Sequence, residues 1–136
     1  MLANKVYYIC SPLHAQTREG IRSNMDMAKH YCQTLEQAFG CRAIAPHAYL
    51  PEFLDDWIPR ERSLGMAVGQ ILMRWCDGVV VCGETISKGM AEEIAKAREF
   101  GLTVYHFTET ENGILIAFYG QKEEDNAVQI SGDPIL

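Results

Sequence analysis

The residues best spaced for chemistry are two adjacent glutamates, Glu92 and Glu93, in the stretch GETISKGMAEEIAKAREFG from Gly83 to Gly101. Met90, Ile94 and Ala97 recur at i, i+4 and i+7, the apolar stripe of one helix. Glu93 falls on that stripe. Glu92 shares the opposite face with Lys96 and Glu99, where Glu92 and Lys96 can pair at i, i+4. One acid is therefore solvated and the other is turned toward the core. A carboxyl placed there is costly unless it is paired or used.

The elements around this helix set where it points. The run GVVVC, Gly78 to Cys82, is short and β-branched and predicts a buried strand. Ser87 predicts the helix N-cap and Gly101 its stop. Upstream, Lys5 to Cys10 predicts a first strand ended by Ser11-Pro12, and Arg18 to Phe39 a long helix with Ile21, Met25, Ala28, Cys32, Leu35 and Phe39 as its stripe. Cys41 to Ala45 predicts a second strand, which implies a right-handed crossover and a parallel sheet. His47 to Pro59 is aromatic and irregular, either a lid over a site or a packed surface loop. Arg60 to Trp75 predicts a helix with Leu64, Val68, Ile71, Leu72 and Trp75 on one side. Leu102 to Phe107 and Ile114 to Tyr119 predict the last strands, the short link permitting an antiparallel hairpin. The fold expected is a three-layer, Rossmann-like (flavodoxin-like) α/β domain over residues 1–120, with a mostly parallel sheet of about five strands. Residues 121–136 read as a polar, partly disordered tail.

In an open α/β sheet, ligands bind beyond the carboxyl ends of the strands. Those ends carry Ser11 and His14, then His47, then Gly83, Glu84 and Ser87, then His106 and Thr108. Ser87 and the glycine-flanked helix start, with Gly89 and Met90, offer backbone N–H groups suited to an anion. Neither GxGxxG nor GxxxxGK[ST] occurs, so no dinucleotide or P-loop cofactor site is expected. His14, His47 and His106 lack metal-ligand spacing, and no metal is expected.

The 136 residues suit one domain, and 48% hydrophobic with 22% charged is ordinary for a globular protein. A net charge of -6 argues against a nucleic acid polymer as partner. No apolar run approaches the roughly 20 residues of a membrane span. Five scattered cysteines without a CxxC pair suit reduced thiols in a cytoplasm.

Together, VYYICSP, IAPHAYLPEFLDD, CDGVVVCG and SKGMAEEIAKAREFG resemble the nucleoside 2-deoxyribosyltransferase-like superfamily over most of Lys5 to Phe107. The chain looks closest to a small uncharacterised bacterial and phage branch, and is also similar to 2'-deoxynucleoside 5'-phosphate N-hydrolases. The resemblance implies a nucleoside or nucleotide as substrate and Glu93 as the nucleophile at the anomeric carbon. It puts the orienting tyrosine on Tyr7. It gives Ser11 and Ser87 to a phosphate; Gly83, His14 and His47 from the strand ends, and Gly89 and Met90 from the helix start, are expected around the same substrate, although the arginine that the hydrolase branch has after its first strand is replaced here by Leu13 and His14. It also implies a homodimer or higher homo-oligomer, with Tyr49 to Trp57 as a candidate contact. The acid that the family has eight positions before Asp77 falls here on Gly69, which leaves His47, Glu84 or a neighbouring subunit to replace it. Asp77 itself reads as a structural cap. A non-catalytic nucleotide-binding module is the alternative, and Gly69 favours it.

Overall fold

Alternating apolar strands and amphipathic helices assemble in chain order. The computed structural model describes residues 2–120 and 129–132. The chain runs through β1 (Val6–Cys10), α1 (Arg18–Phe39), β2 (Arg42–Ile44), two 3-10 turns (Pro46–Ala48 and Leu50–Glu52) and α2 (Pro59–Arg74). It continues through β3 (Gly78–Cys82), α3 (Lys88–Glu99), β4 (Thr103–Thr110), β5 (Gly113–Phe118) and β6 (Gln129–Gly132). The strands form one sheet in the order β2-β1-β3-β4-β5-β6. The first four are parallel to their neighbours, and β5 and β6 add antiparallel at one edge. The sixth strand lies within the stretch expected to be a tail. Residues 121–128 and 133–136, also assigned to that tail, lie outside the described residues.

The sheet is covered on both faces, which is why its central strands read as continuous apolar runs. On one face Ala28 and Leu35 of α1 pack with Tyr7, Ile9, Val80, Cys82, Tyr105 and Phe107. On the other, Met73 of α2 and Met90, Ile94 and Ala97 of α3 pack with Tyr8, Cys10, Val79 and Val81. Helix ends follow local chemistry. The Thr17 hydroxyl accepts from the Gly20 N–H at 3.0 Å, and Gly40 closes α1 in the left-handed region at φ 68°. Asp77 accepts from the Val6 N–H at 2.8 Å, so it does cap the start of the β1–β3 pairing.

Two expectations change. The Leu64, Ile71, Leu72 and Trp75 side of α2 faces outward, with Trp75 84% exposed. The buried side of α2 is Gly69 and Met73; the missing Cβ at Gly69 lets the helix approach Tyr8 of β1, and Met73 fills the core beside it. On α3, Lys96 pairs with Glu99 at 3.2 Å and not with Glu92. Among the described residues, no helix is long and apolar enough to cross a membrane.

Candidate functional site

Glu93 leaves α3 on its inner side, where the Tyr8 hydroxyl donates to Oε2 of its carboxylate. The expected partner was Tyr7. Side chains alternate across a strand, so neighbours on β1 face opposite layers. Tyr7 packs edge-on against Tyr105, with ring centroids 5.9 Å apart, on the α1 face. Tyr8 is the tyrosine on the α3 face. Burial pushes the Glu93 carboxyl up to about 7, against the opposing pull of Tyr8 and the Cys10 thiol. Burial, then the adjacent Glu93 charge, pushes Tyr8 well above its ordinary value. Tyr8 therefore stays a hydroxyl donor throughout the range in which Glu93 titrates. Gly69 makes this contact feasible: a Cβ there would lie 3.0 Å from the Tyr8 hydroxyl oxygen.

Glu93 and Tyr8 sit in the wall of a cavity of about 230 Å³, sized for one small molecule, between the β1 carboxyl end, α2, the α3 start and the segment after β2. Ser11 is buried at the end of β1, with its Oγ 2.7 Å from His47 Nε2. Burial pulls His47 down to about 4 and so keeps it neutral. Its Nδ1 is buried and has no partner. His14 Nδ1 lies 2.6 Å from the Asp56 carboxylate, and Arg62 approaches the same oxygen at 3.8 Å. The segment carrying Asp56 is tied to α1 by Arg18–Asp55 at 3.1 Å and Arg22–Glu52 at 2.6 Å. Leu50, Pro51, Leu54 and Asp56 of this segment line one side of the cavity.

Residues 5–107 match the family model described as "Domain of unknown function (DUF7768)". The chain belongs to the DUF7768 family. No curated protein matches this DUF7768 chain. Among solved structures it is similar to a 2-deoxyribosyltransferase from the psychrotolerant bacterium Bacillus psychrosaccharolyticus, at 17% identity and a TM-score of 0.57. That similarity covers 78% of this chain and 74% of the other. The two share a fold.

Of the residues singled out in the DUF7768 sequence, Ser11, His14, His47, Gly69, Ser87, Gly89, Met90 and Glu93 line one cavity, and Glu92, though exposed, also reaches its wall. Ser87 caps α3, its Oγ accepting from the Met90 N–H at 3.2 Å. Tyr7 and Gly83 lie outside the cavity. Gly83 turns the chain out of β3 at φ 110°, and a Cβ there would meet Pro12 at 3.3 Å, so it shapes the loop. Glu84, His106 and Thr108 do not line the cavity either, and His106 packs near Tyr119 at 5.6 Å between centroids. Among the described residues, no group of three or more His, Cys, Asp or Glu side chains could hold a metal ion.

Sequence reasoning missed Tyr8, Cys10, Asp56 and Arg62. Tyr8 shares a face of β1 with Cys10 and so with α3, but a strand buried on both faces does not mark in its sequence which face meets that helix. Asp56 had no periodic signal, because it lies in the irregular segment between the 3-10 turns and α2.

Proposed function

We propose that this protein cleaves or transfers the N-glycosidic bond of a nucleoside or nucleoside 5'-monophosphate, with Glu93 as nucleophile. The observation that carries the reading is a glutamate held inward against Tyr8 at a small-molecule cavity. The fold is similar to that of an enzyme named for 2-deoxyribosyl transfer. A buried carboxyl with no cation paired to it among the described residues is costly to keep, so a catalytic use is the natural account of it.

In this reading a Glu93 carboxylate oxygen bonds to C1' as the C1'–N bond breaks. The bonding pair leaves with the base, which takes up a proton. A glycosyl ester remains, and one hard displacement becomes two easier ones. Water then releases the sugar in a hydrolase, or a ring nitrogen of a second base does so in a transferase. Gly69 offers no proton, Glu84 is off the cavity, and His47 is kept neutral by burial. That leaves His14, held by Asp56 at 2.6 Å, or a group of a neighbouring subunit as the proton donor to the base.

The second reading, a nucleotide-binding module without turnover, is favoured by the bare position at Gly69. A panel of nucleosides and their 5'-monophosphates assayed for free base separates the two. Wild type should release base and Glu93→Ala should not. Binding without release by wild type would establish the module. We further propose self-association through the outward apolar side of α2, Leu64, Ile71, Leu72 and Trp75; Tyr49, Phe53 and Trp57 are exposed as well.

A further inference from the structure

His14 and Asp56 are distant in the chain and meet at the cavity wall. His14 Nδ1 is 2.6 Å from Asp56 Oδ2, and the Asp56 side chain is 10% exposed against 47% for His14. A carboxylate offers acceptors only, so the hydrogen of this contact belongs to Nδ1. The other ring nitrogen, Nε2, has no hydrogen-bond partner among the described residues. Both residues are held from behind. The Asp55 N–H donates to Glu61 Oε1 at 2.9 Å, and the Trp57 N–H donates to Asp55 Oδ1 at 2.9 Å, so the chain is fixed on each side of Asp56. Asn24 Nδ2, on α1, donates to the Leu13 carbonyl at 2.9 Å, which fixes the residue before His14. A plain surface ion pair contributes little and needs no such support. A group that must meet a reacting atom does need its geometry set by its neighbours. Arg62 Nη1 lies 3.8 Å from the same Asp56 oxygen, so the imidazole holds the nearer place. His14, Asp56, Arg62 and Glu93 line the same cavity.

We propose that Asp56 is a positioning residue that fixes the Nδ1–H form of His14, so that Nε2 carries the proton given to the departing base and one chain supplies its own donor. The inference rests on the glycosidic reading above and deepens it. The imidazolium Nε2–H gives its proton to a ring nitrogen of the base, while the C1'–N pair leaves with that base and a Glu93 oxygen bonds to C1'. His14 ends neutral, with its hydrogen on Nδ1 against Asp56 and a lone pair on Nε2. That lone pair takes up the proton lost by the water or second base that releases the sugar, which returns His14 to its starting form. Asp56 thus stabilises the imidazolium and opposes the other neutral tautomer, in which a bare Nδ1 would face a carboxylate.

Two measurements decide it. The first is base release from a series of 2'-deoxynucleosides and their 5'-monophosphates whose bases differ in leaving ability, from guanine to 7-methylguanine. The methylated base is cationic while attached and departs as a neutral molecule without an added proton. Asp56→Asn keeps the size but can turn an N–H toward Nδ1; it should slow guanine release by about 10- to 100-fold, and His14→Gln should slow it by about 100-fold or more, the size of a lost proton donor. Both variants should slow 7-methylguanine release by less than about 3-fold, what an exposed ion pair is worth. Equal losses across the series would make the pair a structural tie and overturn the proposal. A wild type that releases 7-methylguanine alone would also overturn it, because the site would then lack a working donor. Release of no base by the wild type would overturn the glycosidic reading, and the donor role of His14 with it. The second measurement is long-range proton–nitrogen NMR on the histidine-labelled protein without ligand. Neutral His14 should carry its hydrogen on Nδ1 in the wild type, and Asp56→Asn should shift it toward Nε2. A bare Nδ1 in the wild type, or the same tautomer in both proteins, would overturn the role of Asp56. This measurement needs no substrate, so it judges Asp56 even where the glycosidic reading fails.

Discussion

Substituting Glu93 by Gln should make the protein more stable in alkaline solution and leave it almost unchanged in acid. The carboxyl is raised from its ordinary 4.5 to about 7, chiefly by burial. The folded chain therefore holds this proton more tightly than the unfolded chain does. Between those two values the native state binds more protons, and stability falls as pH rises. At about 1.4 kcal/mol per pKa unit, the ionised Glu93 costs about 3 kcal/mol above pH 7. Gln keeps the shape and can still accept from Tyr8, so the variant behaves like the protonated acid at every pH. His47 acts in the opposite direction. Its value falls from 6.5 to about 4 by burial, so its contribution to stability is lost as pH drops through that window. The two groups offset each other in the wild type, and only the difference between wild type and variant isolates Glu93. Denaturant unfolding of both proteins at pH 4.5, 6, 7 and 8 supplies that difference, provided the m-values agree. The variant should match the wild type at pH 4.5 and exceed it by about 3 kcal/mol at pH 8. A Glu93→Gln difference that is flat with pH would refute the buried, raised carboxyl.

Three further outcomes follow from the same geometry. Tyr8→Phe removes a donor to the carboxylate worth about 1.5–3 kcal/mol, so the pH midpoint of base release should rise by about 1–2 units; Tyr7→Phe, on the other face of β1, should leave the midpoint in place. Gly69→Ala puts a Cβ 3.0 Å from the Tyr8 hydroxyl oxygen, and base release should drop by about 10-fold, the equivalent of about 1.4 kcal/mol, while the unfolding midpoint moves little; an unchanged rate would mean that Tyr8 does not need its present seat. Ile71→Glu, on the outward apolar side of α2, should convert a dimeric mass into a monomeric one by light scattering, and an unaltered mass would place any self-association elsewhere.

Much of this arrangement was legible in the residues. The β-branched run Gly78–Cys82 could only be an interior strand, and the stripe of Met90, Ile94 and Ala97 distinguished Glu93 from Glu92 before any coordinates. Ser87 and Asp77 also declared their capping roles through residue type and position. Tyr7 and Tyr8 did not declare theirs. A strand buried on both faces has no polar side to fix its parity, so two adjacent tyrosines are equivalent until the layers are known. The apolar stripe of α2 misled for a related reason: periodicity identifies a face and not what covers it. Here Gly65 and Gly69 turn inward to make room for the cavity and for Tyr8, and the larger residues are left outside. Asp56 and His14 meet across a sequence separation of 42, and no local pattern announces such a pair.

The central claim is that Glu93 forms a bond to the sugar. Rapid acid quench of the protein during turnover of a base-releasing substrate, followed by peptide mass spectrometry, tests it directly. A glycosyl-ester mass on the peptide containing Glu93, absent from Glu93→Gln, is the result predicted. Base released at the wild-type rate by Glu93→Gln, or an adduct carried by a different residue, would contradict it.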